Sequence, residues 1–380
     1  MRLAVAVAGF TPGEADQLRR AMGAWRRPGL IEQFRLRLVD GMLKNGFTRE
    51  YADSVFTQIQ GFGAYGFPES HAASFALLVY VSCWLKYHYP AAFTAALLNS
   101  QPMGFYAPAQ LIQNARRHGV TVLAPDVNES DADSTLEPVD EGDALRLGLN
   151  LVSRLPEAAI ERILDGRRSG PYRDMDDFTR RTRLNRPVLN LLAEADAFES
   201  LNLNRRAALW DALAQDNRAM PLFDAAETEA PTQETAVLTE MTPFEETAAD
   251  YGSLGFSLKD HPMRFLRPML AKNRVVTAAE LTKQRDGRRV RVAGIVLNRQ
   301  RPGTAKGVIF VTLEDETGQA NLIIRPTVAR QYRQVVRGSK VILAEGKLQN
   351  QQGVIHVLPT RLEDWSGALS AVKTHSRDFQ

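Results

Sequence analysis

The sequence has one cysteine, Cys83, among its 380 residues. A lone thiol makes neither an intramolecular disulfide nor a cysteine-based metal site, and such sparing use fits a reducing cytoplasm. No stretch reaches the roughly 18 uninterrupted apolar residues that a membrane span needs, so no membrane partner is expected. The opening run, MRLAVAVAGF, is too short in its apolar part for a signal peptide and reads as the buried end of a helix. Charge of one sign is scarce as well: 47 Lys and Arg against 44 Asp and Glu leave a net +3. Aromatic residues make up only 8%.

What is present is ordinary globular material, 44% hydrophobic and 24% charged. A chain of this length buries two or three separate cores. The small net charge hides an uneven distribution. Residues 19–49 carry many arginines and few acids, and 224–250 hold Glu and Asp with no Lys or Arg. Residues 287–347 hold twelve basic residues against four acidic ones. Two basic blocks divided by an acidic linker point to a polyanion held at separate places.

The chain is organised around residues 61–90, GFGAYGFPESHAASFALLVYVSCWLKYHYP. Gly61, Gly63 and Gly66 alternate with Phe62, Tyr65 and Phe67, and Pro68 closes this loop. Ser70 stands at the N-cap of a helix from His71 to His88, which Pro90 ends. That helix is apolar almost all round, which predicts burial among other helices. Upstream, Thr11, Pro12 and Glu14 are a helix start with a capping box. The helix that follows presents Arg19, Arg20, Arg26 and Arg27, either as a solvated basic face or as phosphate ligands.

The run SHAASFALLVYVSCWLKYHYPAAFTAALLNS, with GFTPGEADQLRRAMGAW before it and LNSQPMGFYAPAQLIQNARRHGV after it, resembles the fingers region of bacterial C-family DNA polymerases, the DNA polymerase III alpha subunit type. The QPMGFY run and Ala24-Trp25 resemble its error-prone, ImuC-type branch. The resemblance implies that Arg19 and Arg20 face the triphosphate of an incoming deoxynucleoside triphosphate, with His71 and Lys86 near nucleotide and template. Where the family often has Gly-Lys-Lys, this chain has Gly23-Ala24-Trp25-Arg26-Arg27. A His at a helix start and a Lys in a last turn also have purely structural uses.

Asp126, Asp131 and Asp133 look like carboxylates for two Mg²⁺ ions. They fall in a polar loop rather than on an apolar strand, so a metal role is not assigned to them. The resemblance places the family's catalytic carboxylates in a palm upstream of the fingers. No cofactor is therefore expected on this chain, although the full-length family uses Mg²⁺, and the chain alone is expected to be inactive. Met1 falls within what would be a longer fingers helix, which implies a truncated gene or fragment and would expose Val5, Val7 and Phe10.

Residues 144–201 read as strand, turn, helix, then helix, tight turn, helix, resembling the family's helix-hairpin-helix module. Such hairpins hold DNA phosphates on backbone N–H groups at a glycine-rich turn. Here the first turn is Ser153-Arg154-Leu155-Pro156, without glycine and with one donor removed. Arg180, Arg181, Arg183 and Arg186 near the second turn are the candidate replacements. A helix over 205–214 follows, then RAMPLFDAAE, in which Met220, Leu222 and Phe223 resemble a peptide that binds a sliding clamp. The acidic stretch 224–250 is expected to be poorly ordered.

Residues 287–361 alternate as strands, with turns at Asp315–Gly318 and Asn350–Gly353 and a helix between the third and fourth strands. That is the order of an OB-fold, which holds single-stranded nucleic acid on a basic face. Arg288, Arg291, Arg299, Arg301, Lys306 and Arg325 are the candidate DNA ligands, while aromatics are few and Phe310 serves equally as core or platform. The expected fold class is multidomain: all-α fingers (1–143) and helix-hairpin-helix module (144–217), acidic linker (218–250), helical connector (251–286), small all-β OB barrel (287–365) and tail (366–380). The expected partners are primer-template and single-stranded DNA, deoxynucleoside triphosphates, a sliding clamp and an ImuB-type protein. The expected function is the C-terminal part of an error-prone DNA polymerase, or alternatively a non-catalytic scaffold joining a clamp or polymerase partner to DNA.

Overall fold

The computed structural model describes residues 2–23, 32–64, 69–103, 106–140, 142–215, 238–372 and 377–379. The backbone divides into two compact units, Met1–His88 and Tyr89–Gln380.

The first unit holds α1 (Arg2–Ala8), α2 (Pro12–Gly23), α3 (Arg35–Lys44), α4 (Arg49–Ala64) and α5 (Glu69–His88). The Thr11 N–H donates to Glu14 Oε2 at 2.8 Å, and the Thr11 hydroxyl accepts from the Glu14 N–H at 3.3 Å. This reciprocal box satisfies two otherwise orphaned donors at the start of α2. Helix α1 crosses α3 so closely that a Cβ on Gly41 would lie 2.1 Å from the Ala8 carbonyl oxygen. Ala4, Ala8, Leu18, Leu38, Met42 and Phe56 make the core of α1–α4. Phe10 belongs to it at 3% exposure, with the Arg37 guanidinium 5.3 Å from its ring centroid. The expectation that Phe10 would be exposed is thereby corrected; Val7 is half-buried and Val5 exposed.

Helix α5 departs from its expected burial. From Ala72 to His88 every residue is exposed, Cys83 included, and Leu77 and Tyr80 stand at 66% and 70%. Among the described residues, the core of α1–α4 is closed by side chains outside α5. Helix α5 also begins at Glu69, so Ser70 lies inside its first turn rather than at its cap. Likewise the helical hydrogen bonding of α4 continues through Gly61 and Gly63, which the sequence assigns to a loop. Tyr89, at φ −134°, breaks the helix, and Pro90 opens the next one at a position where its missing N–H costs nothing.

The second unit starts with α6 (Pro90–Asn99) and α7 (Pro108–Arg117), then β1 (Val122–Leu123), β2 (Thr135–Val139) and β3 (Gly142–Arg146). β3 lies between β1, parallel, and β2, antiparallel. Leu145 and Leu147 pack under Ala91, Leu98, Ile112 and Ala115 of the two helices. Four helices follow: α8 (Glu157–Arg167), α9 (Met175–Thr182), α10 (Arg186–Glu194) and α11 (Arg205–Ala214). Their core is built on edge-on rings, Tyr172 to Phe178 at 4.8 Å and Phe178 to Phe198 at 5.1 Å. The connector comprises α12 (Pro243–Ser253), α13 (Pro262–Lys272) and α14 (Ala278–Leu281). Part of the acidic stretch expected to be poorly ordered is thus helix α12, because Thr242 and Glu245 cap it reciprocally. Arg205 of α11 also binds Glu246 and Asp250 on its inner face.

The last module is a closed barrel of β4 (Arg289–Gln300), β5 (Ile309–Asp315), β6 (Gly318–Ile324), β7 (Val341–Gln351) and β8 (Val354–Asp364). The pairing order runs β5-β6-β8-β7-β4, and β4 pairs again with β5, which removes the free edges. Helices α15 (Pro326–Gln331) and α16 (Arg333–Gly338) fill the crossing from β6 to β7. Val292, Val311, Leu313, Leu322, Ile342 and Leu348 alternate inward to form its core. The fold class is therefore as the sequence implies, a helical region followed by an OB barrel. A strand in the tail, β9 (Arg377–Phe379), adds to β4 in parallel.

Candidate nucleic-acid interface

Strand register decides which barrel cations stand together. Gln300, Phe310 and Ile323 are neighbours across β4, β5 and β6, and so are Asn298, Thr312 and Asn321. Val311 and Leu313 point into the core, so the period of two turns Phe310 and Thr312 outward. Thr312 donates to Asn321 Oδ1 at 3.0 Å on this outer surface. Arg301 follows Gln300 directly, Arg325 follows Ile324, and Lys306 lies in the β4–β5 connection. All three are exposed, and all three gather at the end of the strip that carries Phe310. The arrangement is a polar strip with one half-buried aromatic and a cationic end, which suits a phosphodiester chain with unstacked bases.

The other barrel candidates separate from this group. Arg288 is exposed but precedes the opposite end of β4. Arg291 pairs with Glu345 at 3.0 Å and donates to the Asn273 carbonyl at 3.0 Å. Arg299 is a correction: it is buried at 8% exposure and donates to the carbonyls of Val336, at 2.7 Å, and Ser339. It ties α16 to the barrel and is not a surface ligand. Its charge is legible in the sequence and its burial is not. The exposed Arg330, Arg333 and Arg337 on α15 and α16 entered only as part of a basic block.

At the helical hairpins the four candidate arginines also divide. Arg183 ends α9 in the left-handed region at φ 52° and is exposed, and Arg186 opens α10 and donates to the Gln215 carbonyl at 2.9 Å. Arg180 donates to Asp177 at 2.8 Å with most of its side chain in solvent. Arg181 is a structural clamp rather than a free cation. It donates to the carbonyls of Gly166, Gly170 and Pro171 and to Asp177, and lies 4.4 Å over the Tyr172 ring. Burial pushes the Asp177 carboxyl up, but hydrogen bonds from Arg180, Arg181 and the Arg173 N–H outweigh it and hold it below its usual range. At the first hairpin, Arg154 takes φ 65° where glycine is usual, and Pro156 precedes α8.

In the first unit, Arg20 is exposed and pairs with Asp16 at 2.9 Å, and Lys86 is exposed in the last turn of α5. Arg19 lies on α2 and His71 on α5, and only their backbone is described. Met220, Leu222 and Phe223 lie outside the described residues.

Comparison with known proteins places these parts in one family context. Residues 1–46 match the bacterial DNA polymerase III alpha subunit finger domain, 119–208 a helix-hairpin-helix motif, and 290–365 an OB-fold nucleic acid binding domain. The error-prone DNA polymerase of Rhodopirellula baltica is 53% identical over 100% of this chain and 33% of its own length. Those of Alkalilimnicola ehrlichii and Azoarcus sp. are each 50% identical over the whole chain and 37% and 36% of their lengths. Over its whole length the chain resembles the error-prone C-family DNA polymerases. It spans about a third of the length of these relatives. Among solved structures, the asparaginyl-tRNA synthetase of Pyrococcus horikoshii matches 23% of this chain and 22% of its own, at 24% identity and a TM-score of 0.21.

A polymerase relationship raises the question of Mg²⁺, and the clustered aspartates do not fit it. Asp126 is buried and accepts from the N–H groups of Asn128 at 2.7 Å and Ser200 at 2.9 Å. Asp131 pairs with Arg167 at 2.8 Å, and Asp133 accepts from Asn150 at 2.9 Å. Each of these carboxylates already orders the chain around it. Among the described residues no group of three or more His, Cys, Asp or Glu is placed to hold a metal ion. No helix among them is long and apolar enough to cross a membrane.

Proposed function

We propose that this chain is the DNA- and nucleotide-binding portion of an error-prone DNA-directed DNA polymerase. The observation that carries the reading is the joint presence of finger, helix-hairpin-helix and OB segments in one chain that matches such polymerases from end to end. In this reading Arg301, Lys306 and Arg325 hold the phosphates of a single strand along β4, β5 and β6, and Arg183 and Arg186 hold a duplex phosphate near the second hairpin. Arg19, Arg20, His71 and Lys86 meet the incoming deoxynucleoside triphosphate. The Mg²⁺-binding carboxylates belong to another part of the longer polymerase. The apolar residues Met220, Leu222 and Phe223 dock on a sliding clamp, an ImuB-type protein is a further partner, and the setting is the cytoplasm.

The test is primer extension by the purified chain with Mg²⁺ and four deoxynucleotides, run beside DNA binding. The reading predicts binding without extension. Extension would overturn it and return attention to Asp126, Asp131 and Asp133. Arg19→Ala with Arg20→Ala then separates a polymerase part, which loses nucleotide affinity and keeps most DNA affinity, from a scaffold, which loses neither.

A further inference from the structure

A cavity of about 800 Å³ opens between α7, the connector and the β5–β6 turn. Two of its lining residues each carry one buried polar atom without a hydrogen-bond partner. Glu314 is buried at 9% exposure, and its Oε1 has no hydrogen-bond partner. His261 Nε2 is also buried without a partner, 3.9 Å from Glu314 Oε2, too far for a hydrogen bond. His261 Nδ1 accepts the Met263 N–H at 3.2 Å, so the neutral ring carries its proton on Nε2. An unused donor and an unused acceptor thus lie side by side. Orphaned buried polar atoms carry a penalty that a ligand removes by pairing with them.

Elsewhere in the lining two acids, Asp260 and Glu316, are already paired with Arg264 and Arg267. Tyr251 and Phe256 supply apolar ring surface. Arg116 and Arg117 stand exposed at the mouth. The cavity also continues the interface on the barrel. Phe310, Thr312 and Glu314 alternate outward along β5, and the four steps from Phe310 to Glu314 cover about 13 Å. A strand entering at Arg301, Lys306 and Arg325 and following β5 ends over these two atoms.

We infer that the cavity receives one unstacked nucleotide of single-stranded DNA, with its base edge on Glu314 and His261 and its phosphate toward Arg116 and Arg117. Every base offers an N–H donor beside an acceptor on its pairing edge, which complements these two atoms. Burial pushes Glu314 up, against the pull of Arg117 and of the Gln113 and Gln319 amides, so a ligand that donates to it relieves an existing cost. The inference rests on the DNA-binding reading above.

The test uses the full chain and two six-residue single-stranded probes, one with normal bases and one abasic at every position with the same phosphates. Anisotropy is expected to give about tenfold tighter binding of the normal probe, the worth of one well-buried hydrogen bond. Glu314→Leu, which removes the acceptor at similar volume, abolishes most of that ratio, and Glu314→Gln, which keeps an acceptor oxygen, retains it. Arg116→Ala with Arg117→Ala, both at the surface, weakens both probes alike. A ratio unchanged by Glu314→Leu, or probes indifferent to the double arginine change, overturns the inference. Equal, salt-sensitive binding of both probes removes the cavity and leaves the DNA-binding reading standing. Binding of neither probe removes both.

Discussion

Arg205 is 1% exposed and gathers three carboxylates: Glu246 at 2.7 Å, Asp196 at 3.7 Å and Asp250. Removing Arg205 leaves the buried Asp250 without its cationic partner, while Lys259 still pairs with Asp196 at 2.8 Å and with Glu246. Arg205→Ala is expected to cost about 3–5 kcal/mol in urea unfolding, while Arg205→Lys retains part of that; a loss typical of an exposed pair would contradict the assignment. This role was not legible in the sequence, because Glu246 and Asp250 lie 41 and 45 positions away. Arg181 and Arg299 differ from the exposed arginines for the same reason, since most of their partners are remote in sequence. His261 gives a pH signature. Burial pushes it down to about 4, over the pull of Glu316 and Asp315. Between about 6.5 and 4 the unfolded chain therefore binds a proton that the folded chain refuses. The stability from this group is full above the upper limit and falls as pH drops through the window. His261→Asn, which keeps a capping side chain, should flatten the pH dependence of the urea midpoint there. Glu314 runs the opposite way, so comparing the two chains isolates the imidazole, and parallel profiles would refute its role.

At the scale of elements, caps and periodicity were the most readable features. Thr11, Pro12 and Glu14 start α2 as their spacing implies, and α11 spans Arg205–Ala214 as read. The first hairpin keeps its turn without glycine by placing Arg154 at φ 65°. Arg154→Gly relieves that conformation and should leave the chain as stable or more stable by about 1 kcal/mol; a clear destabilisation would mean that the Arg154 side chain holds the turn. Helix α5 is exposed despite its apolar circumference, which predicts burial only where a facing surface exists. With Leu77, Leu78 and Tyr80 exposed, the chain should bind a hydrophobic dye strongly and self-associate. Leu77→Gln with Leu78→Gln and Tyr80→Gln should reduce both signals; unchanged dye binding would place the apolar surface elsewhere.

For the whole molecule, the order of modules was visible from turn residues, strand alternation and a helix between the third and fourth strands. Barrel closure and the gathering of Arg301, Lys306 and Arg325 were not, because both depend on a register that brings distant residues level. The central claim is that this end of the β4, β5 and β6 surface neutralises phosphates of a single strand. The direct measurement is the affinity for single-stranded DNA as salt is varied, for the native chain and for Arg301→Ala, Lys306→Ala and Arg325→Ala combined. Loss of three phosphate contacts should make the slope of log affinity against log salt shallower by about 2, with weaker binding at every salt. An identical slope and affinity in the two chains would contradict the account.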